Sequence, residues 1–285
     1  MELRAATRGS ALARWQTDHV AALVAAVAPE VTVVPVVVET SADRRLDIPI
    51  WEMGGKGVFV KEVQAAVLDG RADLAVHSGK DLPSEVPEGL VLAAVPRRAD
   101  PRDALVGAAL ADLAPGATIA TGSVRRGAQL ASLRPDLTFR GLRGNMARRL
   151  DQVGRDGVAA VVAAAAALER LGLTDRIAQV LSPADVLPQV AQGALAIECR
   201  ADDPTTLALL AAIEDADSRR AVDAERAFLA ELGGDCDLPA GAHATIGDDG
   251  PATVEGLLAS LDGHVVLRHR VSGADGGAPG RQAAG

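Results

Sequence analysis

Five short stretches of this sequence set chemically capable groups at points where an apolar run gives way to a turn. In His77-Ser78-Gly79-Lys80-Asp81-Leu82-Pro83 a lysine stands beside an aspartate, directly after such a run. Side chains at the carboxyl end of a parallel strand project into the ligand crevice of an α/β protein. An ammonium there anchors an anion, and a carboxylate carries protons or balances a developing positive charge; a solvated ion pair closing a strand is the alternative. Thr121-Gly122-Ser123-Val124-Arg125-Arg126 offers the free N–H groups of a helix start, two hydroxyls and two adjacent guanidiniums, which suits a carboxylate or a phosphate. Arg140-Gly141-Leu142-Arg143-Gly144-Asn145 repeats the pattern, with Arg149 about one helical turn on, and Arg8-Gly9-Ser10 begins it. Singly, each is ordinary capping beside surface arginine. Three Arg-bearing turns and one Lys-bearing turn at four strand ends, in a chain of net charge −9, describe a cationic cleft for a ligand with several carboxylates or phosphates.

The fifth stretch, Gly233-Gly234-Asp235-Cys236-Asp237-Leu238-Pro239, puts a cysteine in a loop. An exposed thiol is a nucleophile or an attachment point, although two acidic neighbours disfavour its thiolate; an incidental cysteine is the alternative. Cys199 reads as a buried strand residue. Histidines are scattered and no Cys/His cluster has zinc spacing, so no metal site is expected. Gly54-Gly55-Lys56-Gly57 lacks P-loop spacing and reads as a turn or a lid. The only lysines, Lys56, Lys61 and Lys80, stand close together in a chain whose other cations are arginines.

The elements that must position these groups follow from periodicity. Apolar runs at 3–6, 31–38, 73–76 and 90–95 read as strands, the second as one covered on both faces. Helices are expected from Ser10 to about Pro29 and over 58–68. After PRRADPRD the order recurs, with strands at 117–121, 137–139 and 158–162 and helices from Ser123, over 146–153 and over 163–171. Residues 194–197 read as a strand returning to the first unit, followed by two helices over 204–232 and strands at 253–257 and 265–269. The tail GADGGAPGRQAAG reads as unstructured. Two successive α/β units imply parallel sheets with a ligand cleft between them, and the last piece is a small α+β unit.

Composition bounds the rest. A chain of 285 residues with 48% apolar and 24% charged residues builds ordinary globular cores in two or three units. No run reaches the ~20 apolar residues needed to cross a bilayer, and MELRAATRGS lacks an apolar signal core. With two cysteines, the expected location is the cytoplasm. Net acidity and five aromatic side chains with no tyrosine argue against nucleic acid as a partner.

The ordered set ATRGSALARWQ, MGGKGVFVKE, ADLAVHSGKDLP, TGSVRR, LRGN, ALERLGL, QGALAIECR and ERAFLAELGGDCDLPAG resembles the hydroxymethylbilane synthases, also called porphobilinogen deaminases, from near residue 3 to about 245. The resemblance implies two domains arranged like periplasmic binding proteins around a cleft, plus a small third domain. These are expected at 1–95 with 193–212, at 96–192 and at 213–285. It implies a dipyrromethane cofactor joined to Cys236 by a thioether, onto which four porphobilinogens are added in turn with loss of ammonia before hydroxymethylbilane is hydrolysed off. Asp81 matches the catalytic carboxylate, which would stabilise the azafulvenium cation left when ammonia departs. Lys80, Asp81, Thr121, Ser123, Arg125 and Arg126 match cofactor-contacting positions; Arg8, Ser10, Arg143, Arg149 and Arg170 match substrate-binding ones. A monomer is the family habit. This chain departs at Asp235, Gly9, Glu52 and Ala167, and the third domain is expected to lack its closing helix and to expose apolar surface. A non-catalytic anion binder on the same scaffold is the alternative, one that needs neither Asp81 nor Cys236.

Overall fold

The structure is a computed structural model that describes residues 1–44, 57–233, 238–247, 250–273 and 277–284. The first unit runs β1 (Glu2–Arg8), α1 (Ala11–Val27), β2 (Thr32–Val38), α2 (Ser41–Arg44), α3 (Lys61–Leu68), β3 (Leu74–Ser78) and β4 (Leu90–Ala94). The second runs β5 (Asp103–Val106), β6 (Thr118–Ala120), α4 (Val124–Leu133), β7 (Thr138–Arg140), α5 (Met146–Leu150), β8 (Val158–Ala164), α6 (Ala165–Arg170) and β9 (Ile177–Val180). Then come β10 (Leu195–Arg200), α7 (Pro204–Ala211), α8 (Ala216–Glu231), β11 (Ala240–Ile246), β12 (Ala252–Ala259), β13 (Val266–Gly273) and α9 (Gly277–Ala284).

The two large sheets share one plan, with strand orders β2-β1-β3-β10-β4 and β7-β6-β8-β5-β9. The expectation of parallel sheets needs correction. In each sheet one strand, β10 or β5, runs against its neighbours. That strand is the one arriving from the other unit, so its direction is set by the crossing of the chain and not by a local β-α-β turn. β2 also differs from its reading as a doubly covered strand. It lies at the edge of its sheet, with Val37 49% exposed. Pro35, within it, has no N–H to give a further neighbour, so the edge is where it fits.

Leu3, Val20, Val24, Leu74 and Ile197 are buried together in the first core; Leu105, Ile119, Leu130 and Val162 are buried in the second. The third unit lays α8 and α9 on the antiparallel sheet β11-β12-β13, with Phe228, Leu229 and Val254 buried between. Phe228 presses so closely on β12 that a Cβ on Gly256 would lie 2.3 Å from the ring.

The tail is not unstructured, and the third unit does have a closing helix. α9 packs against α8 and buries Ala283. A Cβ on Gly280 would stand 2.1 Å from the Ala224 carbonyl oxygen, so glycine allows a backbone approach that any larger residue would block. The small residues that gave the tail its loop-like composition are what let it dock.

Candidate active site

The cleft is built from repeated strand–turn–helix corners. Ser10 caps α1 by accepting from the Ala13 N–H at 3.2 Å, Ser123 caps α4 by accepting from Arg126 N–H at 3.4 Å, and Asn145 caps α5 by accepting from Arg148 N–H at 3.0 Å. Each cap ends the preceding extended segment and starts a helix within a few residues of an arginine. Thr121 is buried, and its hydroxyl accepts from the Ser123 N–H at 3.2 Å. Gly122 keeps the corner tight, since a Cβ there would meet the Leu142 carbonyl oxygen at 2.4 Å.

β3 delivers Lys80 and Asp81 on a single 3-10 turn, Gly79–Asp81. The turn is pinned from below: Leu82 is buried, Gln16 Nε2 donates to Ser78 Oγ at 2.8 Å, and His77 Nε2 lies 3.0 Å from Glu198 Oε2. Arg8, Ser10, Phe59, Ser78 and Asp81 line one small cavity. The Arg8 guanidinium pairs with Asp43 and sits 4.7 Å from the Phe59 ring centroid, which fixes its direction.

Cations from both sheets crowd around this turn. Lys80 is pulled down to about 8 by burial and then by Arg126, with Asp81 and Asp103 opposing. Arg149, whose Nε donates to the Gly144 carbonyl at 2.8 Å, is pulled down to about 10 by burial, Arg126, Arg143 and Arg8, with Asp81 opposing. Arg126 and Arg149 thus act on Lys80, and Arg126, Arg143 and Arg8 on Arg149, with Asp81 the carboxylate opposing at both Lys80 and Arg149.

Two further arginines are placed differently. Arg125 is fully buried; it donates to Asp103 Oδ2 at 2.7 Å, to Gln189 Oε1 at 3.3 Å and to the Leu187 carbonyl. It is framework for its neighbour Arg126, whose Nε and Nη2 reach Asp103 Oδ1 at 3.0 and 2.6 Å. Arg170 stands on the hinge side, donating to the Gly193 carbonyl at 2.6 Å with its guanidinium 5.6 Å from the Trp15 ring centroid. Burial pulls it down to about 10, and Glu169 opposes. Cys236 and the Gly54–Gly57 motif, save Gly57, lie outside the described residues.

Motif reading passed over Asp103 and Gln192. Asp103 is wholly buried and lies well below the usual carboxylate range, because Arg125 and Arg126 outweigh the upward push of burial. Its sequence signal was an acid leading straight into the apolar run Ala104-Leu105-Val106. Among the described residues no group of three or more His, Cys, Asp or Glu could hold a metal, and no helix is long and apolar enough to cross a membrane.

Comparison with known proteins identifies this arrangement. The family model described as the porphobilinogen deaminase dipyrromethane cofactor binding domain matches residues 3–208, and that of the porphobilinogen deaminase C-terminal domain matches 219–280. The chain belongs to the porphobilinogen deaminase family. The porphobilinogen deaminase of Nitratidesulfovibrio vulgaris (strain DSM 19637 / Miyazaki F) is 47% identical over 97% of this chain and 89% of its own length. That of Brevibacillus brevis is 44% identical over 98% and 91%, and that of Chromobacterium violaceum 47% over 94% and 87%. Among solved structures, the methionine binding protein MetQ is similar at a TM-score of 0.46 and 11% identity, over 76% of this chain and 92% of that one.

The donor set suits the dipyrromethane of a porphobilinogen deaminase. Each pyrrole of that group carries two carboxylates. Here Arg126, Arg143 and Arg8 lower the proton affinity of Arg149, and Arg126 and Arg149 that of Lys80, with Asp81 opposing at both. A ligand bringing several further carboxylates answers that surplus.

Proposed function

We propose that Asp81 is the catalytic carboxylate of this hydroxymethylbilane synthase, and that the two strand-end corners facing it divide cofactor from substrate. The chain is a transferase acting on porphobilinogen, with a dipyrromethane cofactor. Lys80, Thr121, Ser123 and Arg126 would hold that group's carboxylates, supported from behind by Arg125, with Cys236 as its covalent anchor. Arg8, Ser10, Arg143 and Arg149 would take the acetate and propionate of the incoming ring; Arg170 would act from the hinge side. When bound, the dipyrromethane supplies the pyrrole carbon to which rings are added, four in turn before release. The bounds 1–95 with 193–212, 96–192 and 213–285 are proposed for the three domains, and a cytoplasmic monomer that binds no nucleic acid for the whole.

The observation that carries this reading is that Asp81 lines one cavity with Arg8 and Ser10 and acts on both Lys80 of its own turn and Arg149 of the second unit. As the C–N bond of porphobilinogen's aminomethyl group breaks and its amine leaves as ammonia, positive charge develops on the methylene-pyrrole that remains. The Asp81 carboxylate, oriented by its 3-10 turn, stabilises that charge without reorganising, because the turn is already pinned by Leu82 and by the Gln16–Ser78 hydrogen bond. Arginines fixed by caps and backbone carbonyls hold the substrate carboxylates, so that the ring nitrogen faces Asp81.

The test is the intact mass of the denatured protein beside a Cys236→Ala control. An added mass of two linked pyrroles, absent from the control, is the expected result. No adduct after incubation with porphobilinogen would overturn the assignment of Cys236 and leave the non-catalytic anion binder in the lead.

A further inference from the structure

Gln192 lies on the strap that leads from the second sheet back into β10. Its backbone is held on both sides. Ala191 is left-handed at φ 56° and its N–H donates to Glu225 Oε2 at 2.6 Å. Gly193 is left-handed at φ 86°, where a Cβ would meet the Ala99 carbonyl oxygen at 2.5 Å. Arg98 Nε donates to the Gln192 carbonyl at 2.8 Å. The strap therefore fits closely against the outgoing segment at 98–101.

The side chain is 1% exposed and fully engaged. Its Nε2 donates to Asp103 Oδ1 at 2.8 Å and to the Pro101 carbonyl at 2.7 Å, which fixes the sense of the amide. Its Oε1 accepts from Arg126 Nη2 and from Lys80 Nζ, each at 3.2 Å. Lys80 of the first sheet thus reaches the Arg126–Asp103 pair of the second through a neutral amide on the hinge. We propose that Gln192 is a positioning residue that holds the Lys80 ammonium at the domain boundary, so that the anion-binding strength of the cleft depends on the hinge strap being seated. The proposal rests on the reading of Lys80 as an anion-holding group.

The physical reason lies in what the amide does and does not add. Lys80 is faced by Arg126 from α4, Arg149 from α5, Asp103 from β5 and Asp81 from its own turn. An amide oxygen between two cations eases their repulsion while leaving the positive charge available to a ligand. A carboxylate at the same place would neutralise them, and an apolar side chain would leave them facing each other.

The chain has only three lysines, so protein labelled with ¹³C at lysine Cε gives three signals, and Lys80→Arg assigns the one that matters. Gln192→Leu is expected to lower the Lys80 titration midpoint by about one pH unit, as loss of an acceptor from a buried ammonium does. Gln192→Met is expected to lower it by about one pH unit and to weaken sulfate binding about tenfold, while Lys56 and Lys61 stay in place. Far-UV circular dichroism establishes that each variant is folded, and either one decides the matter alone. A Lys80 midpoint at the parent value in a folded variant overturns the proposal. Absence of porphobilinogen turnover in the parent would sink the functional reading instead, and the lysine titration would still decide the contact.

Discussion

Replacing Asp103 by asparagine removes the counter-charge of two buried arginines while keeping the size of the side chain. Asp103 accepts from Arg125 Nη2 at 2.7 Å, from Arg126 Nη2 and Nε at 2.6 and 3.0 Å, and from Gln192 Nε2 at 2.8 Å. In the variant the two guanidiniums, 1% and 6% exposed, keep the Leu187 and Val162 carbonyls and the Gln192 oxygen, but no formal negative charge. Breaking a buried pair by removing one partner costs about 3–5 kcal/mol; the surviving acceptors put this loss at the lower end, about 3 kcal/mol. Urea unfolding followed by far-UV circular dichroism measures it. Tryptophan fluorescence in parallel reports the first domain and its boundary with the second, since Trp15 and Trp51 precede the crossing at 96–102 and Trp15 lies against Arg170. The Asp103 carboxyl is held below its unfolded value near about 3.9. Its contribution is therefore present above that value and lost as the pH falls toward the folded one, so parent and variant converge in acid. A loss below about 1 kcal/mol at neutral pH, well short of a broken buried pair, would refute the claim that this carboxylate balances both arginines. So would a gap that persists on acidification.

Three other outcomes follow from the same geometry. Asp81→Asn should retain the cofactor mass yet lower porphobilinogen turnover by about 10² to 10³; near-parental turnover removes Asp81 from the chemistry. In cofactor-free protein, sulfate affinity measured by calorimetry should hold steady below pH 8. It should then weaken by up to about tenfold per pH unit, because the charged Lys80 is the binding form and its proton is lost near about 8. An affinity unchanged up to pH 10 would contradict this. Gly280→Val should force α9 off the Ala224 carbonyl and lower stability by about 1–3 kcal/mol, seen as faster amide exchange along 277–284; unchanged protection there would show that the docking does not need glycine.

The strand-end corners were legible in the sequence because each combines a cap, a glycine and an arginine within a few residues, and local geometry alone sets where such a corner points. Ser10, Ser123 and Asn145 cap helices as their types require. What stayed hidden depends on residues far apart in the chain. Arg125 and Arg126 are adjacent and identical in type, yet α4 turns the first into the interior and leaves the second where it also meets Gln192. Gln192 is an unremarkable amide until the strap lays it between Lys80 and Asp103, 112 and 89 positions away. The valines of β2 suggested a strand covered on both faces, and only Pro35 among them signalled an edge. The tail was misread for a related cause: glycine and alanine signal a loop by propensity, whereas here they make room for a backbone against Ala224.

The two strands that run against their neighbours bear on how the chain comes off the ribosome. β10 is inserted between β3 and β4, so the first sheet has a gap beside its edge strand β4 until residue 200 has been made. The second sheet, β5 to β9, is complete by Val180. The domain that begins first is therefore finished second, and its half-built sheet waits through about 100 residues of synthesis, on the order of 5–20 s at ordinary rates. During that interval the facing edges of β3 and β4 are unpaired. Nascent-chain aggregation and chaperone dependence should concentrate there, in the strand that will carry Lys80 and Asp81.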